Sequence, residues 1–246
     1  MSGAAAGAGR VGGGGKMGLP PAISIIVPVL NESGIIRQTE KQLLRASAGF
    51  SAEILFVDGD PSGTSIKLLT SPRVRRLIGP PGRGTQMNAG GRAAAGSILV
   101  FVHADTRLPD GALGDVLNAC RSPKIAGGAF LLGVDSPKKG FRLIEAAANL
   151  RCRLTRIPYG DQAVFIKKKV FDAIGGYAPL PLMEDIELMQ RLKRRGLSIR
   201  LVKKAVRTSA RRWEKDGLIY ATLRNSLLSC LYYAGISPSV LKRFYQ

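Results

Sequence analysis

Ser97-Ile98-Leu99-Val100-Phe101-Val102-His103-Ala104-Asp105-Thr106 is a short apolar run that ends in an acid. Gly96 precedes it, and Leu108-Pro109-Asp110-Gly111 follows as a turn. An apolar run of that length, without polar alternation, predicts a strand covered on both faces, the condition of a parallel sheet. Asp105 falls just beyond the strand, where open α/β sheets bind their ligands. The one histidine of the chain, His103, stands two residues earlier.

Three other runs on the N-terminal side have the same character. Ile23 to Val29 reads as a buried strand, closed by Pro28 because proline cannot donate to a central ladder. Glu53 to Asp58 is a second such strand, again ending in an acid, and Val74 to Ile78 is a third. Helical stretches separate them: one from a Ser33 cap to about Ser47, a short one carrying Ile66, Leu68 and Leu69, and a small-residue helix from Thr85 to Ala95. The β-α-β-α-β-α-β order predicts a right-handed, doubly wound, mostly parallel sheet flanked by helices.

The second half is more mixed. Helices are expected over Gly111 to Cys120, over Phe141 to Arg153 with residues 141, 143, 144, 147, 148 and 150 on an apolar side, and over Asp185 to Arg195. Strands are expected over Ile125 to Val134, Ala163 to Ile166, Ile199 to Val202 and Val206 to Thr208. A C-terminal amphipathic helix is expected over about 213–234, with Leu218, Ile219, Leu223, Leu227, Leu228, Leu231 and Tyr232 as its apolar stripe. Arg224 and Asn225 interrupt that stripe, and it is too short to span a bilayer. It is expected to pack on the core; a face lying on a membrane surface is the alternative.

The chain has 246 residues, 45% of them hydrophobic, enough for one large α/β domain. Residues 1–20 are rich in Gly and Ala without apolar periodicity and read as a disordered tail, leaving 21–246 as a single domain. Three dispersed cysteines, Cys120, Cys152 and Cys230, support neither a disulfide framework nor a zinc site, so a cytoplasmic location is expected. The net charge is +20, and from Arg191 to Lys215 there are eleven Lys/Arg against one acid, Glu214. Nucleic acid, an anionic membrane surface and an anionic small substrate all fit such a charge. No RRM, KH or zinc motif is present, so no specific nucleic acid is expected.

Asp58, Asp105 and the pair Glu184-Asp185 are placed to do chemistry together. Asp105 offers hard oxygen ligation to Mg²⁺ or Mn²⁺ on a diphosphate. Asp58 could accept hydrogen bonds from a base or ribose, and Glu184 or Asp185 could take a proton from an attacking hydroxyl. Arg83, in a glycine-flanked loop before a helix, could reach phosphate or base. Gly79 to Gly84 lacks the Gly-Lys-Ser/Thr ending of a P-loop. Tyr159-Gly160-Asp161-Gln162 could line an acceptor pocket or merely form a turn, and Trp213 could stack on a sugar or belong to the core.

Taken in order, Ile25-Ile26-Val27-Pro28-Val29-Leu30-Asn31-Glu32, Phe56-Val57-Asp58, His103-Ala104-Asp105, Met183-Glu184-Asp185 and Arg211-Arg212-Trp213 resemble family 2 glycosyltransferases of GT-A fold. The resemblance covers about residues 22 to 215. It is closest to a small single-domain branch with His-Ala-Asp-Thr at the metal motif and with the segments 82–90, 159–165 and 209–213. It implies an inverting, metal-dependent transfer of a sugar from a nucleotide-diphosphate sugar, UDP-type expected, to an acceptor hydroxyl. Pro28 and Glu32 would lie in the first nucleotide-binding loop, Asp58 at the base, Asp105 on the metal, Asp185 as general base, and Arg212 and Trp213 near the diphosphate and acceptor.

The sequence departs from the family pattern in three places. The turn after Asp58 is altered and shorter. His103 replaces the first Asp of the metal motif and could ligate the metal, stack on a ribose or fill a polar core site. Ser209 stands where a Gln is expected, which argues against processive polymerisation. A nucleotidyltransferase that makes nucleotide sugars is the rival enzyme; it would carry a Gly-rich signature with Arg and Lys where Asn31-Glu32-Ser33-Gly34 stands. A basic module bound to nucleic acid or a membrane surface, without catalysis, is the rival outside enzymes. Peripheral membrane contact is compatible with the enzyme reading as well.

Overall fold

A computed structural model describes residues 20–245. The expected tail, Pro20 apart, lies outside the described residues. Three βα units open the chain: β1 (Ile23–Val29), α1 (Ile36–Ala46), β2 (Ala52–Asp58), a 3-10 turn (Ile66–Leu68), β3 (Val74–Ile78), α2 (Arg83–Ala93) and β4 (Ile98–Phe101). The next segment runs through β5 (Thr106–Arg107), α3 (Ala112–Cys120), β6 (Ile125–Asp135), α4 (Gly140–Thr155), a 3-10 turn (Gly160–Gln162), β7 (Phe165–Lys167) and α5 (Lys168–Ile174). The chain closes with α6 (Glu184–Arg194), β8 (Ser198–Ser209), α7 (Arg211–Asp216), α8 (Leu218–Tyr233) and α9 (Pro238–Lys242).

All eight strands form one sheet in the order β3-β2-β1-β4-β7-β6-β8-β5. The first four pair in parallel, with Val29 beside Asp58 and Ile26 beside Phe101, so their carboxyl ends share one edge. β7 then pairs antiparallel with both β4 and β6, and β6 runs parallel to β8. Alternation within β1 shows why helices are needed on both faces. Ile23, Ile25, Val27 and Val29 join a core under α1 and α3, whereas Ile26 joins a second core with residues of α2, α5 and α6. A smaller cluster of Val134, Phe141 and Ala210, with Ile144, Trp213 and Leu218 against it, seats α4, α7 and α8 on the far end of the sheet.

Several expectations need correction. Ser33 does not cap α1: Ile35 is the N-cap, without a side-chain cap, and the carbonyl of Glu32 accepts from the amides of Ile35 and Ile36. α2 begins at Arg83, not Thr85, because Gly82, at φ 117°, turns the chain straight into the helix. The two short strands near 200 are one strand, β8, whose pairing with β6 is interrupted by a register shift. The C-terminal helix breaks at Gly217 (φ 87°) into α7 and α8. On α4, of the residues placed on its apolar side, only Phe141 is buried, and on α8 Ile219, Leu223 and Leu227 point outward. No described helix is long and apolar enough to cross a membrane.

Candidate functional site

A cleft of about 510 Å³ opens at the carboxyl edge of the parallel strands, between β1, the end of β4, the start of α6 and the α7–α9 segment. α2 builds its floor. Gln86 is buried, and its Nε2 donates to the carbonyls of Val29 at 2.7 Å and Val57 at 2.8 Å, pinning the ends of β1 and β2 together. Asn88 exchanges two 2.8 Å hydrogen bonds with the backbone of Tyr177. Segment 82–90 is thus a clamp between the sheet and the loop that leads into α6.

Glu184 and Asp185 open α6, where the helix N-terminus favours negative charge. The preceding Met183 has φ 65°, a left-handed conformation unusual for its type, and it turns the chain into the helix. Glu184 is 3% exposed and lies 3.5 Å from Arg83. Burial, and then the charge of Asp185, push its pKa up. Asp185 has a different environment: Oδ2 accepts from the amide of Gly160 at 2.5 Å, and Oδ1 from that of Ile186 at 2.7 Å. A Cβ at Gly160 would lie 3.0 Å from His103 Nε2, so any larger residue there would press on the imidazole.

Asp105 lies at the end of the opening strand, and its carboxylate is 3.6 Å from Arg211, whose guanidinium also reaches Glu32 at 3.3 Å. The Asp105 carbonyl accepts from the amide of Ser209, so the start of β5 and the end of β8 are joined here. His103 is partly buried, and its Nε2 is shielded from solvent and has no hydrogen-bond partner. Burial, reinforced by Arg83 and Arg212, lowers its pKa well below 6.5 and keeps it neutral at neutral pH.

The far wall comes from α7, α8 and the C-terminal segment. Trp213 stands edge-on to Phe141, with ring centroids 5.8 Å apart, and also lines the cleft, so the core and site readings both hold for it. Its Nε1 and the Oδ1 of Asn225, both buried, have no partners. Arg212 bonds the hydroxyl of Tyr245.

Of the residues picked from sequence, Pro28, Glu32, Arg83, His103, Asp105, Glu184, Asp185, Arg212 and Trp213 line this one cleft. Asp58 does not. It is fully buried, and its carboxylate accepts from the amides of Asp60, Ser65 and Ile66 at 3.0 to 3.2 Å. Its oxygens therefore shape the shortened turn and start the 3-10 helix, and they are not free to meet a base. Two participants, Arg211 and Gln86, have no role assigned from the sequence, whereas Asp161 stands in the segment 159–162 read there as an acceptor-pocket lining or a turn. The carboxyl of Asp161 lines the cleft and is pushed up to about 6 by burial and by the charge of Asp185.

A parallel half-sheet whose carboxyl edge gathers acids and arginines under a helical wall defines a nucleotide-binding transferase fold of GT-A type. The family model for glycosyl transferase family 2 matches residues 24–182, and the chain belongs to that family. Among solved structures, glucosyl-3-phosphoglycerate synthase from Mycobacterium tuberculosis is similar at 18% identity and TM-score 0.61, over 88% of this chain and 81% of that one. That structure is a complex with Mn²⁺, UDP and glucosyl-3-phosphoglycerate. The mannosyltransferase PcManGT from Pyrobaculum calidifontis, in complex with GDP-Man and Mn²⁺, is similar at 18% identity and TM-score 0.57 over 77% of this chain. The present chain spans 56% of that mannosyltransferase's length. At these identities the likeness establishes the fold. No curated protein sequence matches the chain.

Proposed function

We propose that the chain transfers a sugar from a nucleoside-diphosphate sugar to an acceptor hydroxyl in one displacement, with inversion at the anomeric carbon. The observation that carries this is the gathering, in one cleft, of Asp105 with its arginines and of Asp185 fixed by two backbone amides. The acceptor oxygen attacks the anomeric carbon, and the bond to the diphosphate oxygen breaks with its electron pair leaving on the nucleotide. Asp185 takes the acceptor's proton. Glu184, tied to Arg83, positions that arginine rather than serving as the base. Arg211 and Arg212 bring fixed cations to the diphosphate.

A divalent ion fits the residues present. Asp105 supplies a hard oxygen, and His103 supplies a neutral, buried Nε2 with no other partner. Among the described residues no group of three or more His, Cys, Asp or Glu converges on one point, so a bound diphosphate and water would complete the coordination, as is usual for Mg²⁺ and Mn²⁺. When bound, the ion offsets charge on the departing diphosphate. The M. tuberculosis synthase with UDP and the P. calidifontis mannosyltransferase with GDP-Man, both holding Mn²⁺, support a nucleotide–metal reading. A uridine nucleotide is our first expectation.

Thermal shifts with UDP-, GDP- and CDP-sugars, each with Mn²⁺ or Mg²⁺, should find at least one stabilising pair. Asp185→Asn should keep that shift and lose about 10²- to 10⁴-fold in transfer rate, the usual span for removing a positioned base. Asp105→Asn should lose the metal dependence of the shift. Transfer by Asp185→Asn at the wild-type rate would remove Asp185 from its role.

A further inference from the structure

Among the described residues, every exposed large apolar side chain except Leu30 and Ile78 lies on α4, on α8 or on the segment after α8. On α4, Leu143, Ala147, Leu150 and Leu154 are exposed at a spacing of three to four residues, and Leu143 and Leu154 are 76% and 75% exposed. On α8, Ile219, Leu223 and Leu227 follow four apart, 74%, 64% and 59% exposed. The single charge of α8, Arg224, lies 2.9 Å from Asp216 with little of its side chain exposed. Both helices therefore turn a continuous apolar stripe to solvent, a pattern found where something else covers the helix.

The two stripes belong to neighbouring elements. Leu218, which starts α8, reaches the backbone of Gly140, which starts α4, so closely that a Cβ there would lie 2.7 Å from it. Towards the other ends, Tyr159 lies 3.4 Å beneath the guanidinium of Arg151 on α4 and beside Ser229 on α8. Cations flank these helices in the sequence. From Lys138 to Arg156 the sequence has six Lys/Arg and one acid, Glu145, which is occupied by the amide of Val134 and by Arg142. Lys138, Lys139, Arg153, Arg156 and Lys215 have no carboxylate partner among the described residues.

We propose that α4 and α8 dock this face on an anionic lipid bilayer. The apolar stripes lie among the upper acyl chains, and the flanking lysines and arginines meet the headgroups. Charge selects this occupant over a second copy of the chain, because isologous pairing would set the same cations against one another. The helices lie on the surface and do not cross it, since α8 has 16 residues. The opposite side of α8 supplies Asn225, Leu228 and Ser229 to the cleft, so docking places the wall of the cleft beside the bilayer.

Vesicle co-sedimentation tests this without reference to sugar transfer. The protein should pellet with phosphatidylcholine vesicles containing about 30% phosphatidylglycerol, not with phosphatidylcholine alone, and be released by about 0.5 M NaCl. Leu223→Glu/Leu227→Glu on α8 should lower the partition coefficient at least about tenfold, and Leu143→Gln/Leu154→Gln on α4 should do so independently should the first variant fail to fold. Lys138→Glu/Lys139→Glu should weaken binding to the anionic vesicles and lower the salt concentration at which the protein is released. The proposal is overturned if the wild type stays in the supernatant with anionic vesicles, or if folded stripe variants pellet as well as it does. It is also overturned if sedimentation velocity finds a lipid-free dimer that Leu223→Glu/Leu227→Glu converts to a monomer.

Discussion

Asp161 shows how one side chain can set a pH dependence. Its carboxyl is raised from an ordinary 3.8 to about 6, first by burial and then by Asp185. Below 3.8 the folded and unfolded chains both hold the proton, and the group imposes no penalty. As pH rises from 3.8 to about 6 the unfolded chain ionises first, so the native state loses stability, and above about 6 the loss is complete. Asp161→Asn should therefore stabilise the protein by up to about 3 kcal/mol at pH 8 and by almost nothing near pH 3.5. Urea melts of both proteins at the two pH values check this; an equal gain at both would assign the effect to something other than charge. Acids after apolar runs could be recognised in the sequence, but how each carboxylate is used could not. Asp58 and Asp105 follow similar strands, yet three amides of a turn claim the first while the second is left beside Arg211. That difference depends on the course of residues 59–66, which propensity does not determine.

The parallel strands were legible because an apolar run between turn signals has few other ways to be satisfied. Helix faces were less so. The spacing along α4 and α8 correctly indicates stripes, but periodicity does not say what covers a stripe, and much of both lies outside the core. α2 is the converse case, a helix of small residues with little amphipathic pattern that proves to hold the site together. Replacing Gln86 with Leu removes the two donors that join β1 to β2 and leaves buried carbonyls short of partners. A loss of about 2 kcal/mol in denaturant unfolding is expected. A change near zero would mean that the strand ends are held by their ladder alone.

For the molecule as a whole the net charge is +20, and five of the seventeen acids, Glu32, Asp105, Asp161, Glu184 and Asp185, line the cleft. That distribution attracts polyanions without reading them. An unrelated oligonucleotide should bind only at low ionic strength, with affinity falling steeply and without sequence preference as salt is raised, as expected for counterion release. Sequence-selective binding that survives about 0.5 M NaCl would restore a nucleic-acid role. The family was legible from short motifs in order because each sits on a rigid strand end or helix start. The cleft's far wall was not, since Trp213, Asn225 and Tyr245 meet there only through the break at Gly217 and the return of the chain after α8.

The amide of Gly160 bonded to Asp185 has a consequence for the timing of a catalytic cycle. Both oxygens of that carboxylate are occupied by backbone donors, Gly160 on one and Ile186 on the other. In the proposed reaction, once Asp185 had taken an acceptor's proton, one of those oxygens would become a poorer acceptor and one amide would be released from its hold. If it is that of Gly160, the loop beside His103 slackens just as transfer is complete and tightens again only when the proton has gone to water. Chemistry and loop would then keep the same clock, each turnover resetting the latch that the next substrate must find closed.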